Sequence, residues 1–164
     1  MKREIIILIF LFFGKIHGQN PCDLSLENIS WKSKFEKAQS EIEKIKLIKE
    51  KIKFDSVYSP ANRNVVIRDG NNNRYYNKNG DNCGCKILFL LEYSKKKNIP
   101  LNLSLKPKLS KIVDKINAEN TDIYFHSFDQ KTSVSMFGSN GECGFVIMTT
   151  KNKGLKKLIK TTGL

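Results

Sequence analysis

DIYFHSFDQKTSVSMFGSNGECGFVIMTT, residues Asp122 to Thr150, is the stretch whose reading decides the fold. Ile123–Phe128 and Cys143–Thr149 are rich in aromatic and β-branched residues, which suit a pleated surface. Between them Thr132, Val134 and Met136 alternate with Ser133 and Ser135, the period of two expected of a strand. Asp129-Gln130-Lys131 is a short polar connection. Gly138-Ser139-Asn140-Gly141 contains Asn-Gly, a hairpin signal because both residues tolerate positive φ. The stretch therefore predicts a three-strand antiparallel meander. Simple hairpins put the rows His126–Val134–Val146 and Tyr124–Met136–Met148 on one face. The other face then carries Phe125–Ser135–Phe145 and Ile123–Phe137–Cys143. Both faces are apolar, so other parts of the chain must cover them. Phe145-Val146-Ile147-Met148 is apolar on successive residues, which predicts a strand interior to the sheet with a fourth strand beside it.

The cover is found outward from that stretch. Over Ser30–Lys53, Trp31, Phe35, Ala38, Ile42, Ile45, Ile48 and Ile52 recur at spacings of three and four, the stripe of one long amphipathic helix. Its other face mixes signs, with Glu41–Lys44, Glu43–Lys46 and Glu50–Lys53 three apart, as a solvated face does. Lys86–Lys97 is strongly apolar in its middle and reads as a helix, with a buried strand as the alternative. Leu101, Leu103 and Leu105 alternate with Asn102 and Ser104 and supply the candidate fourth strand. Pro107 suits the first turn of a helix that buries Leu109, Ile112, Val113 and Ile116. Gly154–Thr161 reads as a short closing helix, with Leu155, Leu158 and Ile159 inward. The expected fold is α+β: a small antiparallel sheet covered by a long N-terminal helix and shorter ones.

Phe54–Asn82 is irregular. Val65-Val66-Ile67 reads as a short strand and Arg74-Tyr75-Tyr76 as its return across a polar turn. Asp69, Asn71 and Asn73 have the odd-position spacing of a calcium loop. That loop needs Gly sixth and Glu twelfth; here Arg74 and Gly80 stand there, so a plain polar hairpin loop is preferred.

The chain begins Lys2-Arg3, then runs apolar from Ile5 to Phe13, then breaks at Gly14-Lys15-Ile16-His17-Gly18. This is the layout of a secretory signal peptide. A bilayer span needs about 20 apolar residues, far more than this run offers. Residues 1–18 are read as leader and 19–164 as one domain, secreted or periplasmic, with no transmembrane segment after cleavage. Gln19-Asn20-Pro21 before Cys22 does not resemble a lipidation site.

All four cysteines, Cys22, Cys83, Cys85 and Cys143, lie beyond the leader, and an even count in an exported chain points to disulfides. Cys83–Cys85 would close a strained ring. The two remaining pairings, Cys22–Cys83 with Cys85–Cys143 and Cys22–Cys85 with Cys83–Cys143, both staple the N-terminus and the sheet to one turn. Three chemical readings compete with this one. Cys83, Cys85, Cys143 and His126 are zinc-ligand types at an unusual spacing. Cys83-Gly84-Cys85 lacks the Cys-x-x-Cys form of a redox pair. A Cys143 nucleophile with His126 as base needs hydrogen-bond reach, whereas the meander register places them on the order of 10 Å apart on opposite faces. All three are disfavoured, and no cofactor, phosphate loop or serine-nucleophile motif is read.

The formal net charge is +13. The leader holds Lys2, Arg3 and Lys15 against Glu4, a net +2, which leaves +11 on residues 19–164. Such a charge favours attraction to polyanions and says nothing of fold. Lys95, Lys96 and Lys97, with Lys151, Lys153, Lys156, Lys157 and Lys160, lack interleaved acids and are the candidate residues for binding an anionic polymer or envelope surface. Aromatic residues are not threaded among them, so no base stacking and no specific nucleic acid is expected. The expected function is a non-catalytic binding or envelope-associated protein. The rival class is a secreted hydrolase or thiol-dependent enzyme, which a deep pocket with convergent polar groups would favour.

Overall fold

In a computed structural model that describes residues 24–57, 85–95 and 97–162, the stripe expected of one long helix is shared by two. These are α1 (Leu24–Lys37) and α2 (Glu41–Val57). The break has a local cause. Ser40 Oγ accepts from the Glu43 backbone N–H at 3.2 Å, and Glu43 Oε2 accepts from the Gln39 N–H at 3.2 Å. This reciprocal capping starts a new helix at Glu41. Trp31, Phe35, Ala38, Ile45, Ile48 and Ile52 are buried as expected. Ile42 is not: the break resets the stripe and leaves it 73% exposed in the first turn of α2. Trp31 Nε1 donates to the Leu47 carbonyl at 2.9 Å and holds the two helices together.

The sheet has four strands: β1 (Leu88–Ser94), β2 (Lys97–Pro100), β3 (Thr121–Ser127) and β4 (Phe145–Thr150), in the order β2-β1-β4-β3. Lys86–Lys97 is therefore the strand alternative and not the helix. Leu88-Phe89-Leu90-Leu91 is apolar on successive residues because β1, like β4, is interior to the sheet. β1 and β4 run parallel, from Leu88 opposite Phe145 to Glu92 opposite Thr149, so the sheet is mixed and not purely antiparallel. The long connection between them, which includes β2, β3 and helices, permits that direction. β2, not Leu101–Leu105, pairs antiparallel with β1. Asn102 Oδ1 accepts from Ser104 N–H, Ser104 Oγ and Leu105 N–H, which folds those leucines into a turn and leaves Leu105 exposed.

The middle strand of the expected meander is a helix, α4 (Gln130–Phe137), counted after α3 (Ser110–Lys115). Asp129 caps it, its carboxylate accepting from the Thr132 N–H at 2.7 Å. Ser133 is buried and donates to the Ser127 carbonyl at 3.2 Å. Six residues of alternation do not separate period 2 from period 3.6, and the cap decides. Asn-Gly then sits in a 3-10 turn, Gly138–Gly141, and not in a hairpin. Gly144 follows at φ 94°, where a Cβ would stand 2.8 Å from the Ser127 carbonyl oxygen. With α4 between them, β3 and β4 pair directly and antiparallel. His126 still faces Val146, but Ile123 faces Met148 because the register shifts at Tyr124, and Phe125 faces Ile147. The rows through Val134, Ser135, Met136 and Phe137 do not exist.

One face of the sheet, with Phe89, Leu91, Val146 and Met148, packs under the helices in one core with Phe35, Ile48, Ile112, Val113, Ile116, Leu155 and Ile159. On the other face the Phe137 and Phe145 rings stand 4.7 Å apart and Phe125 lies 5.5 Å from Phe145. Pro107–Leu109 opens the helical segment that continues as α3, and Leu109, Ile112, Val113 and Ile116 are fully buried, as expected. The closing helix α5 (Lys153–Thr161) buries Leu155 and Ile159. Asn152 caps α5, accepting from the Leu155 N–H at 2.9 Å. Asn152→Ala should lower stability by about 1 kcal/mol in urea unfolding, with an unchanged m-value. Among the described residues no helix is long and apolar enough to cross a membrane. The leader, Cys22, Cys83, Lys96, the calcium-like spacing and the strands expected near Val66 and Tyr75 lie outside the described residues.

Candidate functional site

Cys85 and Cys143 form a disulfide that ties the entry of β1 to the entry of β4. Asn28 of α1 is buried against it, its Nδ2 donating to the Cys85 carbonyl at 2.8 Å and lying 3.4 Å from Cys143 Sγ. Of the two pairings left open, the structure contains the bond that belongs with Cys22–Cys83. It also removes Cys143 as a thiol nucleophile and both sulfurs as thiolate ligands. The meander register that held Cys143 apart from His126 is absent, since its middle strand is a helix; the bond itself takes Cys143 out of that chemistry. A structural disulfide is compatible with an oxidising compartment.

His126 sits at an aromatic corner. Its ring meets Phe35 edge-on at 5.1 Å and lies 5.5 Å from Phe128, and Trp31 and Phe35 stack at 5.0 Å. Lys32 Nζ stands 5.5 Å from the Phe128 ring and Lys44 Nζ 5.8 Å from Phe35. Burial, and then the nearby Lys44 ammonium, pull the His126 pKa below 6.5, against the weaker opposite pull of Glu36 and Glu41. Burial likewise lowers the Lys32 pKa. The corner is packed aromatic core with a histidine in it, not a base poised over a nucleophile. The consequence for stability has a definite sign. A histidine whose folded pKa lies below its unfolded value binds its proton more weakly when folded. Its contribution is intact above pH 6.5 and is lost as pH falls through the folded pKa. An NMR titration should place the His126 midpoint below 6.5, and His126→Phe should flatten the loss of stability between neutral and mildly acidic pH.

The lysines are brought together by topology. Because β1 and β4 are parallel and in register, the turn carrying Lys95 and Lys97 and the exit carrying Lys151 leave the sheet at the same end. From there α5 carries Lys153, Lys156, Lys157 and Lys160, all exposed except the half-buried Lys156. α5 packs beside α3, whose Lys111 and Lys115 are exposed, as are Lys106 and Lys108 before it. Those four were not singled out from sequence. A signal was present, since no acidic residue stands between Glu92 and Asp114, and none follows Glu142. The acid within α3, Asp114, is engaged by Lys53 at 2.6 Å, and that hydrogen bond holds its carboxyl below the usual range. Glu119 and Asp122 are exposed near the sheet end and Asp114 is exposed on α3, so the acid-free surface is that of α5.

A small polar hollow of about 100 Å³ lies between the end of α2 and β1, with Asp55, Ser56, Asn102 and Asn140 in its wall. Asp55 is paired with the buried Lys51 at 2.7 Å. Substrate pockets usually enclose roughly 300–1,000 Å³, so this hollow is not a site of the depth that would favour an enzyme.

No family model, curated protein or solved structure matches the chain.

Proposed function

We propose that this is a secreted or periplasmic, non-catalytic binding protein that associates weakly with anionic polymers or envelope surfaces through Lys95–Lys97, Lys151, Lys153, Lys156, Lys157 and Lys160. The observation that carries the reading is the exposed lysine side of α5, packed beside α3 with its exposed Lys111 and Lys115 and with no acid after Glu142 to cancel its field. Such a surface attracts phosphate, sulfate and carboxylate groups without selecting among them. It has no aromatic platform for bases, so affinity should not depend on nucleic-acid sequence. Export is part of the proposal, and the apolar run Ile5–Phe13 and the disulfide support it.

The test is retention of residues 19–164 on heparin and on mixed-sequence DNA across a salt series. Both should retain the protein at about 0.1 M salt and release it well before 1 M, as the Debye length falls from about 10 Å to about 3 Å. Passage through both columns at low salt would refute surface binding. Terminal mass spectrometry of exported protein should find Gln19 first; Met1 retained on functional protein would refute export.

A further inference from the structure

We infer that the groove between α2 and residues 116–118 binds a single-chain anionic amphiphile, of which a long-chain carboxylate is the simplest. The inference goes beyond the surface reading and rests on different side chains. The groove is open to solvent, offers about 310 Å³ and is mainly apolar, with Ile42, Ile45 and Ala118 in its wall and Lys46, Lys49, Glu50 and Lys53 on the α2 side. Its polarity is graded. Ile42 to Lys49 is seven residues, or about 10 Å of helix, from an apolar end to a cationic one. Ile42, turned out by the helix break, leaves an isoleucine 73% exposed at that apolar end.

The charges leave room for one anion. Lys53 is taken by Asp114 at 2.6 Å. Lys46 and Glu50 are 4.0 Å apart and both largely exposed, a contact of little strength. Lys49 Nζ donates to the carbonyls of Asp114 and Ile116, each at 2.9 Å, and an ammonium has a third proton to give. Three ammonium groups against two carboxylates leave one positive charge at the end of the groove where a carboxylate head would lie. The volume falls at the small end of the roughly 300–1,000 Å³ of small-molecule sites, whereas a stable protein partner needs about 800 Å² on each side.

The probe is sodium dodecanoate below its micellar concentration, followed by calorimetry and by methyl NMR on residues 19–164. Saturable binding at one site is expected, with the largest shifts at Ile42, Ile45 and Ala118. Ile42→Gln and Lys46→Glu change exposed side chains and should each weaken binding by roughly tenfold or more. The triple variant K156E/K157E/K160E should bind dodecanoate as the parent does while losing heparin retention, which separates this site from the lysine face. The inference is overturned by unsaturable binding, by affinity indifferent to both groove variants, by shifts centred elsewhere, or by a groove that takes an acidic amphipathic peptide and not dodecanoate.

Discussion

The double variant Cys85→Ser, Cys143→Ser should be less stable than the parent by about 4 kcal/mol, the loop-closure cost for two residues 58 apart in sequence. Replacing both sulfurs leaves no free thiol at either end of this bond to confuse the result. The effect acts mainly on the unfolded chain, whose ends at residues 85 and 143 are no longer tied. In the folded state the same bond sets β1 beside β4 in parallel, a pairing with no short connection to enforce it. Small domains are stable by only about 5–15 kcal/mol, so a loss of this size should bring the midpoint of urea unfolding down to low concentration. The parent in reducing agent should unfold at least as easily as the variant. A loss under about 1 kcal/mol would mean that the sheet forms without the tie, and would make the bond incidental to the fold.

Phe35→Ala should cost roughly 3–5 kcal/mol, the range for deleting a fully buried aromatic ring. Phe35 has no exposed surface and is the centre of the corner. It stacks on Trp31 at 5.0 Å and meets His126 at 5.1 Å and Phe128 at 5.8 Å. Its removal uncouples α1 from β3 and from the loop after it, and the His126 midpoint should rise toward 6.5 as water reaches the ring. Ile42→Ala is the contrast. The same apolar stripe in the sequence contains both residues, yet Ile42 is exposed, and its loss should fall within about 0.5 kcal/mol. Equal costs at the two positions would mean that the chain keeps one continuous helix through Ala38–Ser40.

That contrast also marks what could be read from the residues alone. The α+β class, the interior position of β4 and the buried faces of α3 and α5 were legible from apolar runs and their spacing, and a disulfide at Cys143 from the even cysteine count. Ser40-Glu41-Ile42-Glu43 held a capping signal, but a stripe continuous in its spacing concealed it. Thr132–Phe137 fits both periods, and only the Asp129 cap turns it into a helix. Asn-Gly is a hairpin signal only when strands flank it; here a helix precedes it. Leu101–Leu105 alternates well, but Asn102 offers the backbone a local set of hydrogen bonds that outcompetes a ladder. The parallel pairing of β1 with β4 is a long-range fact with no local signature. It is also what gathers Lys95 and Lys97 with Lys151 at one end of the sheet. The site was thus legible as two separate runs of lysine and not as one place.

The most direct test of the account is whether anion binding depends on where the lysines are and not only on how many there are. K156E/K157E/K160E and K34E/K37E/K131E change the net charge equally, and each replaces exposed or half-buried lysines. Heparin affinity should be measured for both against the parent across a salt series. The α5 variant should lose most of its affinity, and its slope of log affinity against log salt should fall by roughly three ion contacts, while the other variant should stay near the parent. Equal losses in the two variants would contradict this and reduce the lysine face to its share of the net charge.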